Sequence, residues 1–150
     1  MDQEDQMALE KVLQGFLQKS ESLQAAILDK GGNLFVQCGT SSAMDLPILA
    51  ALAAGAFAAT RELAKRLGES EFTALYHEGR GISILMSALE FDALLVTVFN
   101  QNTNLGLVKF HTQETARLVN DVLRLVDKKS TGGAPLEIQM DDQNLNKPIF

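Results

Sequence analysis

Five short apolar runs decide what this chain can fold into, because the gaps between most of them are too short for anything but a reversal. Residues 23–28 and 34–36 flank Asp29-Lys30-Gly31-Gly32-Asn33, residues 72–77 and 82–89 flank Glu78-Gly79-Arg80-Gly81, and residues 82–89 and 93–99 flank Glu90-Phe91-Asp92. Parallel neighbours need a crossover of about a dozen residues or more, whereas antiparallel ones need only a turn. The glycines of the first gap permit the positive φ that tight hairpins require, and the other two gaps carry ordinary turn chemistry. One antiparallel sheet follows. Its second strand ends near Gly39.

Helical periodicity fills the longer intervals. Across residues 5–19, Met7, Leu9, Val12, Leu13, Phe16 and Leu17 recur at spacings of three and four, which puts them on one face of an amphipathic helix. After a loop at Thr40, Ser41 and Ser42, Asp45 is placed to cap a second helix with Pro47 in its first turn and Gly68 as its stop. Over residues 47–67 its core stripe reads as Leu49, Leu52, Ala56, Leu63 and Leu67, with Phe57 beside it. The rest of its first half holds Ala50, Ala51, Ala54, Gly55, Ala58 and Ala59 where a solvated helix carries charges, and almost no charge appears before Arg61. A third helix is expected from about 105 to 128, with Val108, Thr112, Thr115, Leu118, Val119, Val122, Leu125 and Val126 inward and Lys128 and Lys129 at its negative end. The order α-β-β-α-β-β-β-α gives an α+β domain over residues 1–129, a five-stranded antiparallel sheet with helices on its faces. Residues 130–150 read as a flexible tail, in which 136–140 could order against a partner.

Charge and composition narrow the function. A length of 150 residues suits one core. A net charge of −6 with no clustered Lys/Arg face argues against nucleic acid. The lone Cys38 and the acidic start of the chain, Met1 to Asp5, point to the cytoplasm and away from export. The longest apolar stretch, 46–59, is too short for the roughly 20 residues a bilayer takes, so no membrane insertion is expected.

Nothing assembles into an active site. No GxxxxGK[ST] phosphate loop occurs, and Gly31-Gly32 leads into a strand instead of a helix. Cys38 with His77 or His111 lacks any nucleophile signature and reads as a cysteine packed at a strand end, each histidine as a surface or helix-end residue. Two histidines and one cysteine so far apart make a poor metal set, and Asp141-Asp142 has no calcium-loop spacing. No enzyme activity, cofactor or metal is expected.

The order of elements and several local strings together resemble the Roadblock domain family, especially its bacterial MglB-like members, which act on Ras-like GTPases in cell polarity and motility. The resemblance covers about residues 8–127 and is carried by Ala25-Ala26-Ile27-Leu28-Asp29-Lys30-Gly31-Gly32, by the alanine-rich helix, by Ala93-Leu94-Leu95-Val96-Thr97-Val98 and above all by Asn104-Leu105-Gly106-Leu107-Val108-Lys109. The tail matches nothing in it. A Roadblock, profilin-like fold is implied, extended by dimerisation: the strand after the second helix pairs with its copy, and the two second helices lie side by side. Here that strand is Phe72, Thr73, Ala74, Leu75, Tyr76 and His77, with Ala50, Ala51 and Gly55 at the helix contact. Small residues four apart let two helix backbones approach closely, and an apolar face of this kind left in water usually marks an interface. Helix propensity alone is the plainer account of the same alanines.

The resemblance further implies a regulator that docks a small Ras-like GTPase on both copies of the second helix, through Ala54, Ala58, Ala59, Glu62 and Lys65, and stimulates GTP hydrolysis. Arg61, Arg66 and Arg80 are the arginines that could reach a phosphate, but each reads more simply as a helix-surface or turn residue. The alternative is a scaffold that tethers a motor or signalling complex without changing a GTPase rate.

Overall fold

The computed structural model describes residues 1–39, 45–69 and 71–133. The expected loop at Thr40, Ser41 and Ser42 lies outside the described residues, as do residues 134–150 of the expected tail. Elements follow the order α1 (Gln3–Ser20), β1 (Gln24–Leu28), β2 (Leu34–Gly39), α2 (Leu46–Arg66), β3 (Ala74–His77), β4 (Ile82–Ala88), a 3-10 turn (Glu90–Asp92), β5 (Leu94–Asn100) and α3 (Leu105–Gly133). The five strands form one antiparallel sheet in the order β2-β1-β5-β4-β3. This is the α+β architecture the run spacing requires.

Alternation along the strands divides the core into two layers. Ala25 and Ile27 of β1, Leu85 of β4 and Leu95 and Phe99 of β5 point to one face, where they pack with Leu9, Leu13 and Phe16 of α1 and Val108, Val119 and Leu123 of α3. Ala26, Leu28, Met86, Leu94 and Val96 point to the other face and meet Ala50, Ala53, Ala54 and Phe57 of α2. The sheet is therefore sandwiched, two helices below and one above, and each helix is fixed by the apolar side it buries.

Local signals set the ends. The Asp2 side chain accepts the Asp5 N–H at 2.8 Å while Asp5 accepts the Asp2 N–H at 3.2 Å, a reciprocal cap on α1. Lys129 of α3 lies 3.0 Å from Asp5 and 3.3 Å from Asp2, tying the two antiparallel helices at that end. In the β1–β2 turn the Asp29 carboxylate accepts the N–H groups of Gly31 and Asn33, both at 2.9 Å. Those bonds, led by the one from Asn33, hold its carboxyl below the usual carboxylate range.

Three helix assignments need correcting. Met7 is exposed, on the outer side of α1. On α3 the inward position expected for Leu125 belongs to Leu123, and the helix runs on to Gly133. The largest correction concerns α2, whose expected core stripe is mostly outside: Leu52, Leu63 and Leu67 are 67%, 58% and 76% exposed.

Candidate interaction surface

The core face of α2 is made of its small residues. Ala50, Ala53 and Ala54 are buried against the sheet together with Phe57, whose ring meets that of Phe72 at 5.0 Å. Alanines there let the helix axis come down close to the strands. The β1–β2 turn shares the same tight approach: Gly32 has φ +89°, and a Cβ on it would lie 2.8 Å from the Cα of Ala51. Ala50 and Ala54, expected at the helix pairing and at the GTPase contact, are thus part of this chain's own interior and are removed from both sets.

The outward face follows from that rotation. Ile48, Ala51, Leu52, Gly55, Ala58, Ala59, Glu62 and Leu63 are all exposed, and a Cβ built on Gly55 meets nothing within 4 Å. Helical spacing from Ile48 through Leu52, Gly55 and Ala59 to Leu63 makes these one stripe. Three large aliphatic side chains in water on one helix, Ile48, Leu52 and Leu63, with Leu67 at its C-cap, are far from the scattered single exposures normal on a monomer. Sequence periodicity missed them as surface because α2 carries helical-period apolar positions on two faces, so its charges, which begin at Arg61, mark neither face as solvated. Toward its C-terminus the helix turns polar: Arg66 pairs with Glu62 at 3.2 Å, Lys65 lies 4.0 Å from Glu62, and Arg61 sits 5.3 Å above the Phe57 ring and 3.8 Å from Asp92.

The two sheet edges differ. Along β2 runs α1, whose Gln6 side-chain amide donates to the Phe35 carbonyl at 2.8 Å, while the Cys38 thiol reaches the Glu10 carbonyl at 3.5 Å. One carbonyl of that edge is thereby taken by α1. The edge at β3 is bonded to β4 on one side and, among the described residues, has no strand on the other. Within the expected pairing strand, Thr73, Ala74 and His77 are exposed, whereas Leu75 and Tyr76 are half-buried, Tyr76 stacking on Phe99 at 6.2 Å. Phe72 and Thr73 precede the strand itself, although the Thr73 carbonyl still accepts the Ala88 N–H at 2.8 Å. The sheet has an open, short edge beside the apolar helix face.

No reactive constellation is assembled by the fold among the described residues. Cys38 and His77 lie on opposite edge strands, four strand spacings or roughly 19 Å apart. Partial burial and the nearby Glu10 push the Cys38 thiol up, away from the thiolate a nucleophile needs. Among the described residues no three His, Cys, Asp or Glu side chains gather as a metal site would require.

The sandwich has known counterparts. The Roadblock/LC7 domain model matches residues 8–99. The chain belongs to the Roadblock/LC7 domain family. Among solved structures, the gliding protein MglB of Thermus thermophilus is 29% identical, with 81% of this chain and 93% of that one aligned at a TM-score of 0.76. MglB of Myxococcus xanthus is also 29% identical, over 83% of this chain and 93% of its own, at a TM-score of 0.77. Profilin II of Acanthamoeba castellanii shares the fold alone, at 16% identity over 75% of this chain and 97% of that chain with a TM-score of 0.55. Comparison with curated protein sequences returns no match.

Proposed function

We propose that this Roadblock domain is a non-catalytic regulator that pairs with a second copy of itself and docks a small Ras-like GTPase, stimulating its GTP hydrolysis in polarity or motility signalling. One observation carries the reading: the apolar outer face of α2 stands in water beside the open β3 edge. Pairing β3 with its copy would satisfy that edge, and with a β2 carbonyl already taken by Gln6 of α1 it is the more receptive edge for the purpose. Ala51 and Gly55 then face the partner helix, with Leu52 and Leu63 added to the contact. Ala58, Ala59, Glu62 and Lys65 are left to the GTPase.

A membrane is a poorer occupant for this face. By length and composition α2 could cross a bilayer, but to do so it would have to withdraw Ala50, Ala53, Ala54 and Phe57 from the sheet, which are at most 4% exposed. On this reading no arginine is lent to the phosphate: Arg61 and Arg66 pair with carboxylates of their own chain, Asp92 and Glu62. Regulation therefore works by preference for one conformation of the GTPase switch loops, which requires tighter binding to the GTP-bound form.

Light scattering of the purified chain tests pairing, with a monomer at micromolar concentration refuting it. Phosphate release by the Ras-like GTPase of the same cell, with and without this chain, tests regulation. Binding with an unchanged rate would leave the scaffold reading in its place.

A further inference from the structure

The β3 edge fixes which atoms a second copy must meet. Residues along a strand turn their N–H and C=O alternately to one neighbour and to the other. The Ala88 N–H donates to the Thr73 carbonyl at 2.8 Å, and Leu75 and His77 continue that side opposite Met86 and Ile84 of β4. The backbone groups of Ala74 and Tyr76 therefore point away from β4. Side chains alternate as well. Tyr76 packs in the layer of α1 and α3, and Leu75 in the layer of α2 together with Ile84, Met86 and Ala88. Thr73 and His77, opposite Ala88 and Ile84, share that α2 face.

Symmetry leaves few ways to join two such edges. The apolar stripes of two α2 helices meet only if both lie on one face of the joined sheet. For two identical chains that requires antiparallel β3 strands about a two-fold axis perpendicular to the sheet. Opposite residues then show their side chains on the same face, so their numbers differ by an even count and the axis passes beside one residue. Centred on Leu75, Ala74 meets Tyr76 of the second copy, and every outward N–H and C=O of these residues is bonded. Centred on Tyr76, Ala74 would fall opposite Glu78, beyond the strand; centred on Ala74, Tyr76 would fall opposite Phe72, before it.

We propose that two copies join in the register that sets Leu75 opposite its own counterpart, Ala74 opposite Tyr76 and Thr73 opposite His77. The inference rests on the self-pairing proposed above. Leu75 is half-buried. Its backbone points to β4, so the two leucines form a non-hydrogen-bonded pair, the closer of the two kinds, and each covers surface the other leaves in water. The register also completes a site. Thr73 lines an open groove with Arg61, Lys65 and Phe72, and His77 of the second copy arrives beside it. The surface around Lys65, assigned to the GTPase, is then built from both chains.

Oxidative cross-linking of single-cysteine chains, built on Cys38→Ser and read on a non-reducing gel, tests the register. Leu75→Cys is expected to form a covalent dimer, because facing β-carbons in such a pair lie about 4.5 Å apart, within reach of a disulfide. Tyr76→Cys is expected to cross-link at least about tenfold less. Its two copies are offset by two residues along the strands, which puts their Cα atoms roughly 8 Å apart against a limit of about 7 Å. Thr73→Cys and His77→Cys chains, both altered at exposed positions, should cross-link with each other when mixed, and that mixture decides if Leu75→Cys proves unstable. Cross-linking of Tyr76→Cys as fast as Leu75→Cys overturns the register. So does a dimer by light scattering with no cross-link in Leu75→Cys or in the mixture, and either result leaves self-pairing standing. A monomer by light scattering overturns register and self-pairing together.

Discussion

Truncating Phe57 and Leu63, one helical stretch apart on α2, separates the face that holds the fold from the face that meets a partner. Phe57 is 2% exposed, in ring contact with Phe72 and beneath Arg61. A buried aromatic side chain of about 150–200 Å² is worth roughly 4–5 kcal/mol at about 25 cal/mol per Å², in line with the roughly 3–5 kcal/mol that Phe→Ala costs in cores. At about 2–4 °C per kcal/mol for a chain of this size, Phe57→Ala should lower the melting temperature by roughly 6–20 °C. Leu63 is 58% exposed within the chain. Full burial of a leucine is worth about 1.5–3 kcal/mol, so the fraction this chain covers itself comes to about 1 kcal/mol. Circular-dichroism melts at protein concentrations about a hundredfold apart make the comparison, because partner binding raises apparent stability by mass action. The Leu63→Ala deficit should shrink on dilution as the wild type dissociates, and the Phe57→Ala deficit should not. An equal and concentration-independent loss for both variants would place Leu63 in the core and refute the orientation of α2.

Arginine scanning of the same helix should split likewise: Ala54→Arg fails to fold, judged by expression and circular dichroism, whereas Ala58→Arg keeps the native spectrum and loses GTPase capture in a pull-down. Gly32→Ala should cost about 1–3 kcal/mol in urea unfolding, since it combines a left-handed backbone with a Cβ pressed onto the Ala51 backbone. The Asp29 carboxyl is held low in the folded chain, so its contribution to stability is present above about pH 4 and is lost as pH falls through its folded value. Asp29→Ala should therefore be less stable near neutrality and lose less between roughly pH 4 and pH 2, which urea midpoints measured across that range would show.

The sheet was legible because its evidence is local. Asp29 to Asn33 and Glu78 to Gly81 are turns by chemistry, and a strand's inward residues alternate whatever lies beyond it. The faces of α2 were not legible for a reason that is itself structural. Leucine stripe and alanine stripe both obey the helical period, and size favours putting leucine inside. The sheet takes the alanines, which let the helix axis come close to the strands, and Leu52 and Leu63 are left exposed. Burial of Ala50 and Ala54 could be learned only from the position of Gly32 and the strands beneath. The reversal between β4 and β5 was hidden differently: Glu90-Phe91-Asp92 reads as an ordinary turn, and nothing in three residues announces that Asn120 and Arg124 bind Glu90 while Lys30 and Arg61 pair with Asp92.

The Gln6 contact on the Phe35 carbonyl has a consequence for how many copies can join. A sheet with two open edges is a monomer unit for polymerisation, since every addition leaves a new end as receptive as the last. Here α1 takes a carbonyl of one edge strand through Gln6, which leaves the β3 edge the more receptive of the two. Joining two chains through β3 would give a ten-stranded sheet whose end strands are both β2, each with a carbonyl already taken by α1, so further growth would have to displace a contact that the first pairing did not.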